Sequence, residues 1–111
     1  MTEPEIFLYL TTTGHKSSNP HEIEIWYVDF EGRYYLISER REQAHWVQNI
    51  QQHPTVAFSI GTGTDHGKPS PATARTIDPQ AESALTTRIC ALMDAKYGWS
   101  DGLIIEITPT P

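Results

Sequence analysis

The 111-residue chain is predicted to fold as a small, partly open α+β barrel. Its order is β-β-β-α-β-β-α-β, with six mostly antiparallel strands and two helices. Three observations lead there. His21 to Ser38, HEIEIWYVDFEGRYYLIS, has two β-branched and aromatic arms around Glu31-Gly32, the composition of a hairpin with a tight turn. Both faces of those arms are apolar from Ile25 to Val28 and from Tyr34 to Ile37, so a helix, a second subunit or a flat ligand must cover the outside of the sheet. Two later segments change from period two to the three-to-four spacing of helices.

Ile6 to Thr13, IFLYLTTT, is the first strand, with Ile6, Leu8 and Leu10 on one face. Gly14 to Pro20, GHKSSNP, turns the chain into the hairpin, because Gly, Ser, Asn and Pro each favour turns. After Ser38, a candidate N-cap, the helix of about Arg41 to Gln52 presents Ala44, Val47 and Ile50 to the core, with Trp46 beside them and Gln48 exposed. His53-Pro54 ends it. Thr55 to Ile60 is a short strand, and Gly61 to Pro71 is a polar loop. Ala72 to Ile77, small side chains around Arg75, reads as an edge strand. Asp78-Pro79 starts a second helix that runs to Tyr97, with Ala81, Leu85, Ile89, Leu92 and Met93 as its buried stripe and Gly98 as its stop. Leu103 to Thr108 is the last strand.

A chain of this length is one domain, spanning 1–111. The net charge of −6, with no basic run, excludes generic nucleic-acid or acidic-membrane binding, which need a positive footprint. A single cysteine cannot close an internal disulfide, and no apolar stretch is long enough for a signal peptide or a membrane span. A cytoplasmic address is expected.

No nucleophile elbow, paired cysteine, HExxH or glycine-rich nucleotide motif is present, so an enzyme built on this chain needs a cofactor. His45 and His53 are about 12 Å apart along a helix and cannot share a metal; no metal site is expected, and Cys90 reads as a small inert thiol beside the second helix's buried stripe. The scarce positive charge is more informative. His15 and Lys16 lie in the loop before the hairpin, His21 begins it, and Arg40 and Arg41 follow its second arm. Folding of the hairpin can bring these together as an anion site, or they can remain a solvated surface paired with Glu39 and Glu42. Trp26, Tyr27, Trp46 and Asn49 suit a flat heterocycle; they also suit a core or a dimer seam, and for any single one of the aromatics packing is the commoner role.

At these residues the chain resembles the deazaflavin-dependent nitroreductase group within the FMN-binding split β-barrels related to pyridoxamine 5′-phosphate oxidase. Leu10 to Pro20, LTTTGHKSSNP, is similar to the pattern LTTTGRKSGxP, and His45 to Val56, HWVQNIQQHPTV, to xWxxNLxxNPxV. The similarity is strongest over Ile6 to Gly61. It implies a homodimeric split β-barrel that binds coenzyme F420 or FMN in a groove and transfers hydride to a small organic substrate. It implies that the loop around Lys16 and the segment after the third strand reach the phosphate, with Lys16, Ser17, Ser38, Trp46 and Asn49 matching the pattern by position. Together with the distribution of charge, this leads to the expectation that His15, Lys16, Arg40 and Arg41 hold phosphate, with His21 nearby, that Ser17 and Ser38 give hydrogen bonds, and that Trp46 and Asn49 shape the pocket. No side chain is expected to be catalytic, since the cofactor carries the hydride. The chain departs from the pattern at His15 and His21, where arginines are usual, at Ser18, where glycine is usual, and at Glu39, where lysine is common. Histidine lacks the guanidinium fork and most of the charge at pH 7, so the phosphate site has less standing charge. The alternative is a non-catalytic module of the same fold that binds a flavin, haem or other flat ligand.

Overall fold

A computed structural model describes residues 5–111. Its seven strands are β1 (Phe7–Thr13), β2 (Pro20–Ile25), β3 (Val28–Phe30), β4 (Arg33–Ser38), β5 (Thr55–Gly61), β6 (Ser70–Thr76) and β7 (Leu103–Pro109). The helices are α1 (His45–Gln52) and α2 (Ser83–Tyr97), and a 3₁₀ turn at Arg41–Gln43 precedes α1. All strands belong to one antiparallel sheet in the order β2-β1-β5-β6-β7-β4-β3.

The α+β split barrel expected from the sequence is present, with seven strands rather than six. The extra strand comes from the first hairpin arm, which divides at Trp26-Tyr27. Its first half, β2, pairs with β1 at one edge of the sheet, and its second half, β3, pairs with β4 at the other. Only Val28 to Tyr35 forms the hairpin. Its two-residue turn places Glu31 at φ +51° and Gly32 at φ +78°, the doubly left-handed geometry that matches strand twist.

Inward side chains of the sheet form the barrel core: Leu8 and Leu10 of β1, Leu36 of β4, Phe58 of β5, and Ile105 and Ile107 of β7. Helix α1 closes one end with Ala44, Val47 and Ile50, the phase expected from their spacing, although the helix begins at His45 rather than Arg41. Ser38 is the last residue of β4, not a helix cap; its hydroxyl donates to the Arg41 carbonyl at 3.0 Å. Gln48, expected to be exposed, is half-buried. A second core lies outside the sheet, where Ile89 and Met93 of α2 cover Val28, Tyr35, Ile37 and Ile104. The cover demanded by the two-faced apolar arms is therefore α2. That helix begins at Ser83, five residues after Asp78, whose side chain instead accepts from the Gln80 N–H at 2.9 Å in a preceding turn, and Ala81 is left exposed.

Strand β6 is interior rather than an edge, lying between β5 and β7. Small residues are core here: Ala72 and Ala74 point into a narrow barrel and are buried. Arg75, on the outer face, is neutralised by Glu106 and Glu82.

Candidate functional site

Because the two edge strands diverge, the barrel wall is open between β2 and the end of β4, and an open cleft of about 1170 Å³ lies there. Its walls are β2, the Gly14–Asn19 loop, the segment after β4 and the first turns of α1.

The loop is built for close approach. Its ends are tied by the Gly14 N–H to the Asn19 carbonyl at 2.8 Å and the Ser18 N–H to the Gly14 carbonyl at 3.0 Å. A Cβ on Gly14 would lie 2.6 Å from Ser17 Oγ and 2.9 Å from His21 Nε2, so only glycine lets those side chains pack over the backbone. Ser18 adopts φ +61°, a left-handed geometry that explains why glycine is usual at this place in the resembling pattern.

Asn49 fixes the loop to α1. It is buried, its Nδ2 donates to Thr12 Oγ1 at 2.9 Å, and its Oδ1 accepts the His15 backbone N–H at 2.8 Å. A backbone N–H can only donate, which settles the amide's orientation and makes His15 Nδ1, 2.6 Å from the same oxygen, a donor as well. The free nitrogen of His15 is then Nε2. Asn49 is thus a satisfied anchor whose side-chain amide is spent inside the protein. Thr12, its buried partner, was not singled out from the sequence; the signal was its inward position beyond Leu8 and Leu10.

The cleft gathers His15, Lys16, Ser17, His21, Ser38, Arg40, Trp46 and Asn49. Arg41 is placed elsewhere. Its backbone has φ +53°, and its guanidinium turns away to Asp101, 3.1 Å distant. His45, in the first turn of α1, lines the cleft although the sequence gave no reason to choose it; its ring stands edge-on to His15, 6.0 Å between centroids. Lys16 and Arg40 are the permanent cations of the cleft, against the carboxylates of Glu22, Glu24 and Glu39. Two of those carboxylates are engaged, Glu24 by the Tyr9 hydroxyl at 2.7 Å and Glu22 by His66 at 2.9 Å. Burial, helped by the Glu24 hydrogen bond, pushes the Tyr9 phenol up to about 12. Among the described residues, Lys16 and Arg40 enter no salt bridge and their side chains make no hydrogen bond. Among the described residues no group of three His, Cys, Asp or Glu side chains forms a metal site, and no helix is long and apolar enough to cross a membrane.

Residues 2–101 match the family model described as F420H(2)-dependent quinone reductase. The chain belongs to that family. Among solved structures, the reductase-family chain is similar to HutZ, the heme storage protein from Vibrio cholerae, with a TM-score of 0.75 and 16% identity over 95% of this chain and 82% of that one. An F420 reductase matches with a TM-score of 0.63 and 17% identity over 98% and 90% of the two chains. The F420-H2 dependent reductase FDR-A matches with a TM-score of 0.56 and 22% identity over 91% and 92%. At these identities the likeness is one of fold. No curated protein matches the chain.

Proposed function

We propose that residues 1–111 form a single deazaflavin-binding domain that acts as an F420-dependent oxidoreductase on a small organic acceptor, with FMN as the alternative cofactor. The observation that carries this reading is that the cleft is lined by two cations, Lys16 and Arg40, that have no ion-pair partner among the described residues, together with apolar side chains such as Ile23, Ile25 and Trp46. A phosphate fits that donor set: two charged side chains, the Ser17 hydroxyl and a turn-rich backbone. Family membership supports F420 ahead of FMN. Reduced F420, when bound, supplies a hydride, so that the acceptor gains two electrons and the cofactor loses two.

This chain's residues bind and orient. Lys16 and Arg40 hold the phosphate, with Ser17 and Ser38 offering hydroxyls and His15 Nε2 and His21 offering ring nitrogens. Trp46 and the half-buried Ile23 and Ile25 wall the ring and exclude water. A two-fold homodimer that closes the open side of the cleft belongs to the same proposal. Its support is that Ile6 and Trp26 are the large apolar side chains left exposed among the described residues, and light scattering at micromolar concentration tests it.

The deciding experiment is titration of the purified protein with F420, FMN and riboflavin, followed by turnover with a reduced cofactor. Binding of the phosphorylated cofactors in preference to riboflavin supports the reading, and absence of binding sinks it. The second reading, non-catalytic binding of a flavin, haem or other flat ligand, is favoured by the fold likeness to HutZ; haem binding without F420 turnover is its outcome.

A further inference from the structure

His15 stands where the resembling pattern has arginine, and the structure reverses the polarity of that position. Arginine carries five N–H donors and no acceptor. His15 is held by Asn49, whose Oδ1 accepts both the His15 backbone N–H at 2.8 Å and the Nδ1 proton, with Nδ1 2.6 Å away. The Asn49 amide is not free to turn over and suit the other tautomer. It is buried, its Nδ2 is used on Thr12 Oγ1 at 2.9 Å, and a flipped amide would set its own N–H groups against the His15 backbone N–H. In the uncharged ring the single proton is therefore on Nδ1, and Nε2 carries a lone pair.

That lone pair is accessible. Among the described residues, the buried side-chain polar atom without a partner is Thr86 Oγ1. His15 Nε2 has no hydrogen-bond partner among them either, so it is reached from the cleft that His15 lines. The His45 ring stands edge-on, 6.0 Å away between centroids, and makes no hydrogen bond with it. A phosphate oxygen that carries no proton cannot satisfy such an acceptor, because it sets negative charge against a lone pair. A ligand O–H satisfies it. Lys16 is the next residue, one Cα step of about 3.8 Å away, so a phosphate held at Lys16 brings the atoms bonded to it close to His15. In a flavin or deazaflavin cofactor those atoms lead into the polyol chain, which carries hydroxyls. We propose that His15 Nε2 accepts a hydrogen bond from a hydroxyl of the cofactor's polyol chain, so that His15 reads the chain and not the phosphate. The proposal rests on the cofactor reading above and departs from the expectation that His15 holds phosphate. One loop then recognises both parts of a phosphorylated polyol, with the anion on Lys16 and the hydroxyl on its neighbour.

The test combines nitrogen NMR of the histidine rings at about pH 8, where a free imidazole is uncharged, with titration of FMN and riboflavin into wild type, His15→Asn and Lys16→Ala. Asparagine at 15 keeps an N–H donor near the Nδ1 position for Asn49 but places no atom at Nε2. The free protein should show a His15 ring protonated on Nδ1, with an Nε2 signal that shifts when either flavin is added. His15→Asn should weaken FMN and riboflavin equally, by roughly three- to tenfold, the worth of one uncharged hydrogen bond. Lys16→Ala should weaken FMN selectively. A ring protonated on Nε2 in the free protein, unchanged flavin affinity in His15→Asn, or a loss confined to FMN would overturn the proposal. If neither flavin nor F420 binds wild type, the cofactor reading falls and the hydroxyl contact with it; a ring protonated on Nδ1 then shows that the fault lies in that reading and not in the tautomer.

Discussion

Arg75 and Lys16 are both cations set against the same sheet, yet their surroundings are opposite. Arg75 Nε reaches Glu106 at 2.8 Å, and its two terminal nitrogens grip Glu82 at 2.8 and 2.9 Å. Glu106 is buried on β7 and also accepts from the Tyr35 hydroxyl at 2.8 Å, so the row runs across β4, β7 and β6 with its polar atoms matched. Burial, reinforced by the Glu106 hydrogen bond, pushes the Tyr35 phenol up to about 12. Lys16 and Arg40 have no such partners among the described residues, and they face open space. Charges whose hydrogen bonds are complete hold the fold; charges left incomplete beside a cleft are available to a ligand. The comparison makes separable predictions, because the first row should answer in stability and the second in affinity.

The largest effect is expected at Arg75. Breaking a fully buried pair costs roughly 3–5 kcal/mol, and because Arg75 is half-exposed, Arg75→Ala should cost about 2–3 kcal/mol in urea unfolding and leave cofactor affinity unchanged. The same row sets an acid limit. Burial alone raises the Glu106 carboxyl, but hydrogen bonds from Arg75 and Tyr35, with the Arg75 charge, outweigh it and hold the group below the usual range; the Arg75 hydrogen bond lowers Glu82 too. Carboxyls depressed in the folded state contribute stability above their unfolded value, about 4.3, and that contribution is lost as pH falls through the lower folded values. The urea midpoint of wild type should therefore drop steeply below about pH 4.3, and Arg75→Ala should flatten the curve. Identical slopes would show that the row is not coupled to folding.

Lys16→Ala should do the reverse, weakening a phosphorylated cofactor by roughly 1.5–3 kcal/mol while sparing riboflavin and the unfolding midpoint. An equal loss for FMN and riboflavin would falsify the phosphate assignment. Asn49 belongs to both classes, since it is buried and satisfied yet positions the Lys16 loop. Asn49→Leu strands a Thr12 hydroxyl and the His15 N–H groups, so about 1–2 kcal/mol of stability and cofactor affinity should fall together. The smallest effect is at Ser18, where Ser18→Gly relieves the left-handed backbone and should raise stability by about 0.5 kcal/mol, read as a small rise in thermal midpoint with cofactor affinity retained.

Local chemistry was legible in the chain. The spacing of Ala44, Val47 and Ile50 predicted the face that α1 buries, because a helix's contacts repeat every three to four residues. Glu31-Gly32 predicted its turn, because the left-handed geometry there depends on the residues in the turn itself. The LTTTGHKSSNP and HWVQNIQQHPTV stretches pointed to the family that the match over residues 2–101 shows. Tertiary structure alone decided the rest. Nothing at Trp26-Tyr27 marks a break, as neither residue interrupts a strand by itself; β2 and β3 separate because their partners, β1 and β4, come from distant parts of the chain. Apolar residues on two faces required a cover without naming it, and α2, more than forty residues later, supplied it. Arg40 and Arg41 are adjacent in sequence, but the left-handed backbone at Arg41 sends one guanidinium to Asp101 and leaves the other in the cleft. A sequence specifies which side chains are present and their local spacing; which of them stay unpaired is decided by long-range packing, and in this protein that sets the site apart from the scaffold.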